Sequence, residues 1–318
     1  MTTNSEWWMW PAFFIFIAIV LVIDLFALGG RKSHKVSTKE ALTWTLVWVS
    51  LAFGFNLLLW AYLGHTHGSA VANQSALEFF TAYAVEKSLS VDNIFVIVMI
   101  FSYFSIPAQY QRRVLLYGVL GAIFMRLILI VAGIWAIDKF HWILYLFGLV
   151  LLFTGVKMFI VADEKPNLDK NPILNWMRKH MHITHTLHEE KFFVVQNKLR
   201  YATPLFLVLV LIEITDLIFA FDSIPAVFAI TNDPFVAFTS NIFAILGLRS
   251  LYFLLANMNN RFHLLKYGLA FILVFIGAKM LLAYWFTIPI LFALGVIVAT
   301  LGLSVFLSIK ITKSRSSG

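Results

Sequence analysis

Long runs of apolar residues follow one another along most of the chain, separated by short polar connections. A transmembrane helix needs about 20 consecutive, mostly apolar residues. The segments that meet this requirement are 7–28, 41–63, 77–104, 112–137, 141–162, 202–231, 235–256, 263–283 and 288–309. The pattern predicts an all-α, polytopic membrane helix bundle in which nine transmembrane helices form a single domain over residues 1–318. Because nine is odd, we expect the two termini on opposite sides of the membrane.

The composition is typical of a membrane protein, and it excludes several kinds of functional site. The 318 residues are 61% hydrophobic and 13% charged, whereas a soluble domain is roughly half apolar and a quarter charged. The chain contains no cysteine, which excludes disulfides and thiolate metal sites. It also has no Walker A, HExxH or GxSxG motif, so neither ATP hydrolysis nor a hydrolase is supported. We therefore expect a protein that is not an enzyme.

The distribution of lysine and arginine predicts the orientation in the membrane. With the N-terminus outside, nearly all basic residues between the spans lie in inner connections, and only Lys139 lies in an outer one. Trp7, Trp8 and Trp10 fit an interfacial aromatic belt at the start of the first span. The sequence thus predicts an outer N-terminus and a cytoplasmic C-terminus. The net charge of +8 then reflects inner loops next to the lipid bilayer and does not indicate nucleic-acid binding.

One long polar connection, residues 163–201, is predicted to be a cytoplasmic loop. Within its His-rich segment 180–188, three histidines recur at every third position: His182, His185 and His188. Two interpretations stay open, a metal-sensing patch and a solvated loop whose histidines are incidental.

A pattern of three spans occurs twice in the chain. The segment HWILYLFGLVLLFTGVKM (141–158) aligns with HLLKYGLAFILVFIGAKM (263–280) without a gap, so Gly155 corresponds to Gly277. Apolar helices match easily by chance, but shared polar and glycine positions are harder to obtain by chance.

The match extends to the preceding helices, because EKSLSVDNI (86–94) aligns with DLIFAFDSI (216–224). Residues 77–162 (helices 3–5) therefore resemble residues 202–283 (helices 6–8). An offset of three spans turns the second copy upside down in the membrane. This predicts the inverted repeat of many secondary transporters, whose substrate site lies near the membrane midplane between the copies.

Five acidic side chains lie inside the apolar segments, where each costs about 2.5–3.5 kcal/mol at a helix centre. They are Glu86, Asp92, Glu213, Asp216 and Asp222. Helical spacing places Glu86 with Asn93 on one face, and Glu213 with Asp216 and Ser223 on another. Such sets of oxygen ligands suit hard divalent ions, including Mn²⁺, Mg²⁺ and Ca²⁺.

The two remaining acids do not share these faces. Asp92 lies about 120° from Glu86 around a regular helix, and Asp222 stands likewise to Asp216. For all of them to reach one ion, each helix would have to break. Pro225 supplies a reason for a break in the sixth span, since proline removes an N–H and clashes with the preceding turn.

The alternative is a structural network of buried ion pairs. Arg126 and Arg249 occupy matching positions in the two copies and follow the acidic helices, which suggests the pairs Asp92–Arg126 and Asp222–Arg249. Both interpretations can hold together, with the other three acids on the ion and these two on arginines.

The segments EKSLSVDNIFV, EITDLIFAFDSIPAVFAIT and SNIFAILGLRSLYFLL resemble the TerC family of bacterial integral membrane proteins. The resemblance covers nearly the whole chain. It implies a nine-span protein of the bacterial inner membrane that is linked to manganese export and metal homeostasis. It also implies metal-site residues at the family's acidic motif positions: Glu86, Asp92, Asn93, Glu213, Asp216, Asp222 and Ser223. It gives the His-rich segment no role.

We therefore predict a secondary transporter that exports Mn²⁺ from the cytoplasm, with the metal ion as substrate and no resident cofactor. Moving a divalent cation outward against 100 mV costs about 4.6 kcal/mol. Proton antiport would supply this work, because carboxylates that release a metal can take up protons. Two alternatives stay open: a membrane scaffold for the assembly or metal loading of partner proteins, and a cation channel.

Overall fold

The computed structural model describes residues 6–27, 36–140, 142–160, 171–184, 186–196, 198–256, 264–283, 285–286 and 288–316. Most of this part of the chain is helical. The helices are α1 (Met9–Ala27), α2 (Thr38–Thr66), α3 (Ser69–Tyr103), α4 (Ala108–Lys139), α5 (Ile143–Ile160), α6 (Pro172–His180), α7 (Pro204–Phe228), α8 (Pro234–Leu246), α9 (Leu248–Ala256), α10 (Leu265–Leu282) and α11 (Ile290–Ser316). The strands are β1 (Phe193–Gln196) and β2 (Leu199–Ala202), paired antiparallel.

Seven stretches of the described helices are long and apolar enough to cross a membrane: α2, α4, α5, α7, the pair α8–α9, α10 and residues Ile290–Ser308 of α11. The protein is thus an all-α, polytopic membrane protein. The other two predicted spans coincide with α1 and α3. The apolar part of α1 is shorter, Met9–Ile23, and Glu86, Lys87 and Asp92 interrupt the apolar sequence of α3. The count of nine crossings stays a prediction.

Helices α3, α4, α7 and α8 form the centre of the bundle. Every residue of α8 after its first proline is buried, from Phe235 to Leu246, as expected of a helix that is apolar all round. Aromatic rings of α1, α2 and α3 pack around α8, and the ring centroids of Phe55 and Phe243 lie 4.9 Å apart. The most central helix is therefore held on one side by an aromatic core.

Helices α5 and α10 approach each other so closely that backbone touches backbone. A Cβ on Gly155 would lie 2.9 Å from the carbonyl oxygen of Ala270. A Cβ on Gly277 would lie 2.8 Å from the carbonyl oxygen of Gly148. Small residues at such crossings are typical of membrane helices, where close packing replaces the hydrophobic driving force.

The break predicted at Pro225 does not occur, because α7 continues through this residue. The chain turns instead between α8 and α9. Gly247 separates the two helices, and the Nζ of Lys87 donates a hydrogen bond of 3.1 Å to the carbonyl oxygen of Ala244. In a continuous helix that carbonyl would accept from Leu248. The intruding lysine therefore explains why the helix ends here, since side chains that enter the hydrogen-bond ladder kink helices.

The predicted cytoplasmic loop contains structure that the sequence analysis missed, although residues 161–170 and His185 lie outside the described residues. Asn171 caps α6 by accepting hydrogen bonds from the amides of Ile173 and Leu174. Leu174 and Met177, one turn apart, are buried in an apolar cluster with the start of α7. The β1–β2 hairpin then leads directly into α7. This part of the segment therefore contains regular secondary structure, and its cytoplasmic location stays a prediction.

Candidate functional site

The two acids that correspond in the sequence alignment lie at matching places in the structure. Glu86 is the central residue of α3, and Asp216 is the central residue of α7. Both are buried, and the guanidinium of Arg126 on α4 lies between them. Its Nη1 bonds to Glu86 Oε1, and its Nη2 lies 3.5 Å from Asp216 Oδ1. Asn93 Nδ2 donates to the same Asp216 oxygen at 2.9 Å.

Two further side chains complete the contacts of Arg126. Its Nη1 also donates to Ser223 Oγ at 3.0 Å and to Asn241 Oδ1 at 3.1 Å. Asn241, on α8, in turn donates to Glu86 Oε2 at 3.1 Å. Four helices thus meet at one polar site inside the bundle. We call it the central cluster: Glu86, Asn93, Arg126, Asp216, Ser223 and Asn241.

The central cluster leaves two buried oxygens without a hydrogen-bond partner, Asn93 Oδ1 and Asp216 Oδ2. Asn93 and Asp216 line a cavity of about 20 Å³, whose other walls are apolar side chains and Gly118. A buried acceptor without a partner costs about 1–3 kcal/mol, and more when it is charged. A cavity of this size has room for one water molecule or one ion. The site therefore has unused oxygen ligands and a space beside them.

Glu213 lies one turn before Asp216 on α7 and is half-buried. Its carboxylate rests against Gly121 of α4, where a Cβ would overlap with both of its oxygens. Glu213 is also close enough to Asp216 for the two carboxylates to repel each other. Glycine at position 121 is therefore what allows this third carboxylate to approach the central cluster.

The remaining two acids are not brought to the central cluster. Asp222 accepts a hydrogen bond of 2.9 Å from Thr154 of α5, and Asp92 lies within electrostatic reach of Lys266 of α10. The predicted breaks that would have gathered all the acids do not occur, because α3 and α7 are each a continuous helix, with Pro225 inside α7. Regular helical geometry keeps these two acids on other faces.

The two predicted arginine pairs are replaced by other contacts. Arg126 bonds to Glu86 and Asp216 instead of Asp92. Arg249 lies with Arg112 and Trp44 around a small cavity, away from the contact that Asp222 makes with Thr154. Spacing along one helix cannot tell which neighbour a long arginine side chain will reach.

Asn241 is the member of the central cluster that the sequence analysis missed. The signal was present, since TSN (239–241) interrupts an otherwise apolar predicted span. Asn241 is completely buried, and both ends of its amide are used. A buried amide in a membrane helix indicates a polar partner on another helix.

Among the residues that the structure describes, no group of three or more His, Asp or Glu side chains converges closely enough to hold a metal ion. The oxygens beside the cavity are instead a mixture of carboxylate and amide. In the His-rich segment, the ring of His182 packs edge-on against Tyr201, and His188 lies 3.2 Å from the Gln196 amide nitrogen. Because His185 lies outside the described residues, both interpretations of this segment stay predictions.

Comparison with known proteins places these observations in a family. Residues 71–317 match the "Integral membrane protein TerC family". A protein of Escherichia coli K12 named "Putative membrane-bound redox modulator Alx" is 54% identical over 297 residues, 93% of this chain and 92% of its own. The protein of the same name from Salmonella typhi is 50% identical over 315 residues, covering 99% and 98%. The uncharacterized membrane protein STKORF319 of Myxococcus xanthus is 45% identical over 307 residues, covering 96% and 93%. No solved structure matches the chain.

Proposed function

The chain belongs to the TerC family of integral membrane proteins, and from that premise we propose that it is a secondary transporter that exports Mn²⁺ from the cytoplasm. The observation that carries this proposal is the pair of unpartnered oxygens beside the small cavity, Asn93 Oδ1 and Asp216 Oδ2. Carboxylate and amide oxygens are ligands that hard divalent cations prefer. An ion in the cavity would satisfy both oxygens at once.

Arg126 has a defined part in this arrangement. It occupies Glu86 and one oxygen of Asp216, which leaves the other Asp216 oxygen available. The Asn93 amide donates to Asp216 through Nδ2, so its Oδ1 remains as an acceptor. With Glu213 ionised, three carboxylates and one guanidinium carry two net negative charges, which matches the charge of a divalent cation. Arg126 therefore orients the ligands and reduces the repulsion among the carboxylates when no ion is bound.

The packing of α5 on α10 supports the proposed inverted repeat. Gly155 and Gly277 correspond in the alignment, and so do the residues whose carbonyls they contact, Ala270 and Gly148. Each copy thus makes the same contact with the other. In transporters built from inverted repeats, the substrate site lies between the copies near the midplane. In this arrangement nine helices cross the inner membrane, with the N-terminus outside and the C-terminus in the cytoplasm.

Proton antiport is the proposed source of work. The half-buried Glu213 and the buried Asp216 repel each other when both are ionised, so loss of the bound cation favours uptake of a proton. The incoming proton would thereby replace part of the charge of the outgoing ion. Export would then follow the proton gradient across the membrane.

The test is Mn²⁺ flux into or out of proteoliposomes that hold the purified full chain, at two pH gradients and with Mg²⁺, Ca²⁺ and Zn²⁺ as competitors. Asp216→Asn keeps the shape of the side chain and removes its charge, and we expect it to lower flux at least about tenfold, since tenfold corresponds to only 1.4 kcal/mol. Asp222→Asn is the matched control and should transport normally. Flux that is equal in the two variants would contradict the site, and flux indifferent to the pH gradient would contradict antiport.

A second candidate is a membrane scaffold, and the pairing of Arg126 with Glu86 and Asp216 favours it, because such a network also stabilises a bundle without any ion. Under that function Asp216→Asn would destabilise the protein, and the wild type would move no metal. The name of the Alx relatives suggests redox modulation. This chain has no cysteine, so a redox role would have no thiol of its own to use.

A further inference from the structure

A large apolar groove lies on the flank of the bundle, and none of the central-cluster residues lines it. Its volume is about 330 Å³, within the range of small-molecule sites. The walls come from α1, α2 and α8 and from the residue before α1, and they include Trp8, Ala12, Phe13, Phe55, Tyr62 and Phe235. Its lining is aromatic and aliphatic except for the hydroxyl of Tyr62 and the indole nitrogen of Trp8.

Both of these polar groups point at a single carboxylate. Tyr62 Oη donates to Glu6 Oε1 at 2.8 Å, and Trp8 Nε1 donates to Glu6 Oε2 at 2.8 Å. Glu6 precedes α1 and is exposed to solvent. The hydrogen bonds from Tyr62 and Trp8 lower the pKa of Glu6 below its ordinary value, so the carboxylate is ionised at neutral pH. A fixed negative charge therefore stands at the mouth of an apolar groove.

The position of the groove suits a lipid. It lies where α1 begins and α2 ends, beside Trp7 and Trp8, both of which are exposed. Exposed tryptophans at a helix end are typical of the headgroup level of a bilayer. The charge then selects among lipids. An anionic headgroup would be repelled by Glu6, whereas an ammonium would be attracted and would also donate hydrogen bonds to oxygens that already hold one donor each.

We propose that this groove binds a phospholipid with a primary ammonium headgroup, with an acyl chain against the phenylalanines and the ammonium on Glu6. This inference is independent of the transported ion. A quaternary ammonium headgroup carries the same charge but no N–H donor, so it should bind more weakly. Phosphatidylethanolamine is the natural probe, with phosphatidylcholine and phosphatidylglycerol as the comparisons.

The test measures lipid binding to the purified full chain by native mass spectrometry, together with the midpoint of thermal unfolding in the presence of each lipid. For the wild type we expect phosphatidylethanolamine to bind best and to raise the midpoint most. Glu6→Gln keeps the hydrogen-bond acceptor but removes the charge, and should abolish this preference. Glu189→Gln makes the same chemical change on the exposed polar surface before β1, and should preserve it.

A second variant tests the groove itself. Ala12→Phe places a ring in the groove, and we expect it to reduce binding of all three lipids while leaving the fold intact, since Ala12 is exposed. The proposal is overturned if Glu6→Gln keeps the wild-type lipid preference, or if phosphatidylglycerol binds as well as phosphatidylethanolamine. It is also overturned if the chain purifies as a dimer that Ala12→Phe dissociates, because a second copy would then be the occupant.

Discussion

Two helix pairs that correspond in the sequence alignment are joined in opposite ways. Helices α5 and α10 meet through Gly155 and Gly277, with backbone against backbone. Helices α3 and α7 meet through Asn93 and Asp216, with Arg126 of α4 placed against both helices. Of these two helix pairs, α5–α10 thus makes a dry contact and α3–α7 makes a polar contact.

The α5–α10 contact holds the bundle together, whereas the α3–α7 contact offers polar groups to a substrate. Close apolar packing has a single best arrangement, and it offers nothing for an ion to bind. A polar contact with two unpartnered oxygens and a cavity is less stable than it could be, and such compromises are expected at functional sites. Variants that disturb only one of the two contacts should therefore have distinct effects.

The largest loss of stability is expected from Arg126→Leu. This change leaves Glu86 and Asp216 buried without a counter-charge, and breaking a buried ion pair in this way costs about 3–5 kcal/mol. The measurement is the free energy of unfolding, or the yield of folded protein in detergent. The double variant Glu86→Gln with Arg126→Leu should recover part of the loss. A single variant as stable as the wild type would show that the carboxylates do not need Arg126.

The next loss is expected from Gly277→Ala in the dry contact. Its Cβ would lie 2.8 Å from the Gly148 carbonyl, and backbone cannot move aside as a side chain can. Overpacking of this kind costs about 1–3 kcal/mol. Gly295→Ala on α11 is the matched control, because nothing lies within 4 Å of its Cβ. Equal stability of the two variants, measured by thermal unfolding, would mean that α5 and α10 do not pack closely.

A smaller effect on stability, but a clear one on transport, is expected from Gly121→Ala. The new methyl displaces the Glu213 carboxylate, which is the movable end of a side chain, so stability should change by less than about 0.5 kcal/mol. We expect Mn²⁺ flux to fall by roughly an order of magnitude, because displaced ligands bind poorly. Gly302→Ala on α11 is the control, because nothing lies within 4 Å of its added Cβ. Unchanged flux in Gly121→Ala would remove Glu213 from the site.

The smallest effect is expected from Asp222→Asn. The asparagine oxygen can still accept the hydrogen bond from Thr154, and the residue lies outside the central cluster. Stability should stay within about 0.5 kcal/mol of the wild type and Mn²⁺ flux should be unchanged. A large loss of flux would place the site on another face of α7 from the one proposed.

Hydrophobic runs were enough to predict the all-α membrane fold, because span length and apolarity follow directly from bilayer thickness. The same period of 3.6 residues placed Glu86 with Asn93, and Asp216 with Ser223, and these four lie together in the structure. Local geometry therefore sufficed wherever the relevant residues share one helix.

What could not be predicted depends on contacts between helices. The predicted partner of Arg126 was wrong because a long side chain can reach several helices. Only the packing of those helices determines which carboxylate it contacts. The turn at Gly247 needed Lys87, which is far away in sequence. The α6 and hairpin segment was hidden because its few apolar positions, such as Leu174 and Met177, are scattered among polar ones.

Lys87 has one more consequence for the bundle. By occupying the Ala244 carbonyl, its ammonium lets the chain turn at Gly247 without abandoning a bare acceptor in a region that water does not reach. A new helix, α9, can consequently begin directly after α8. The end of the fully buried helix α8 is thus completed by a donor that belongs to a neighbouring helix.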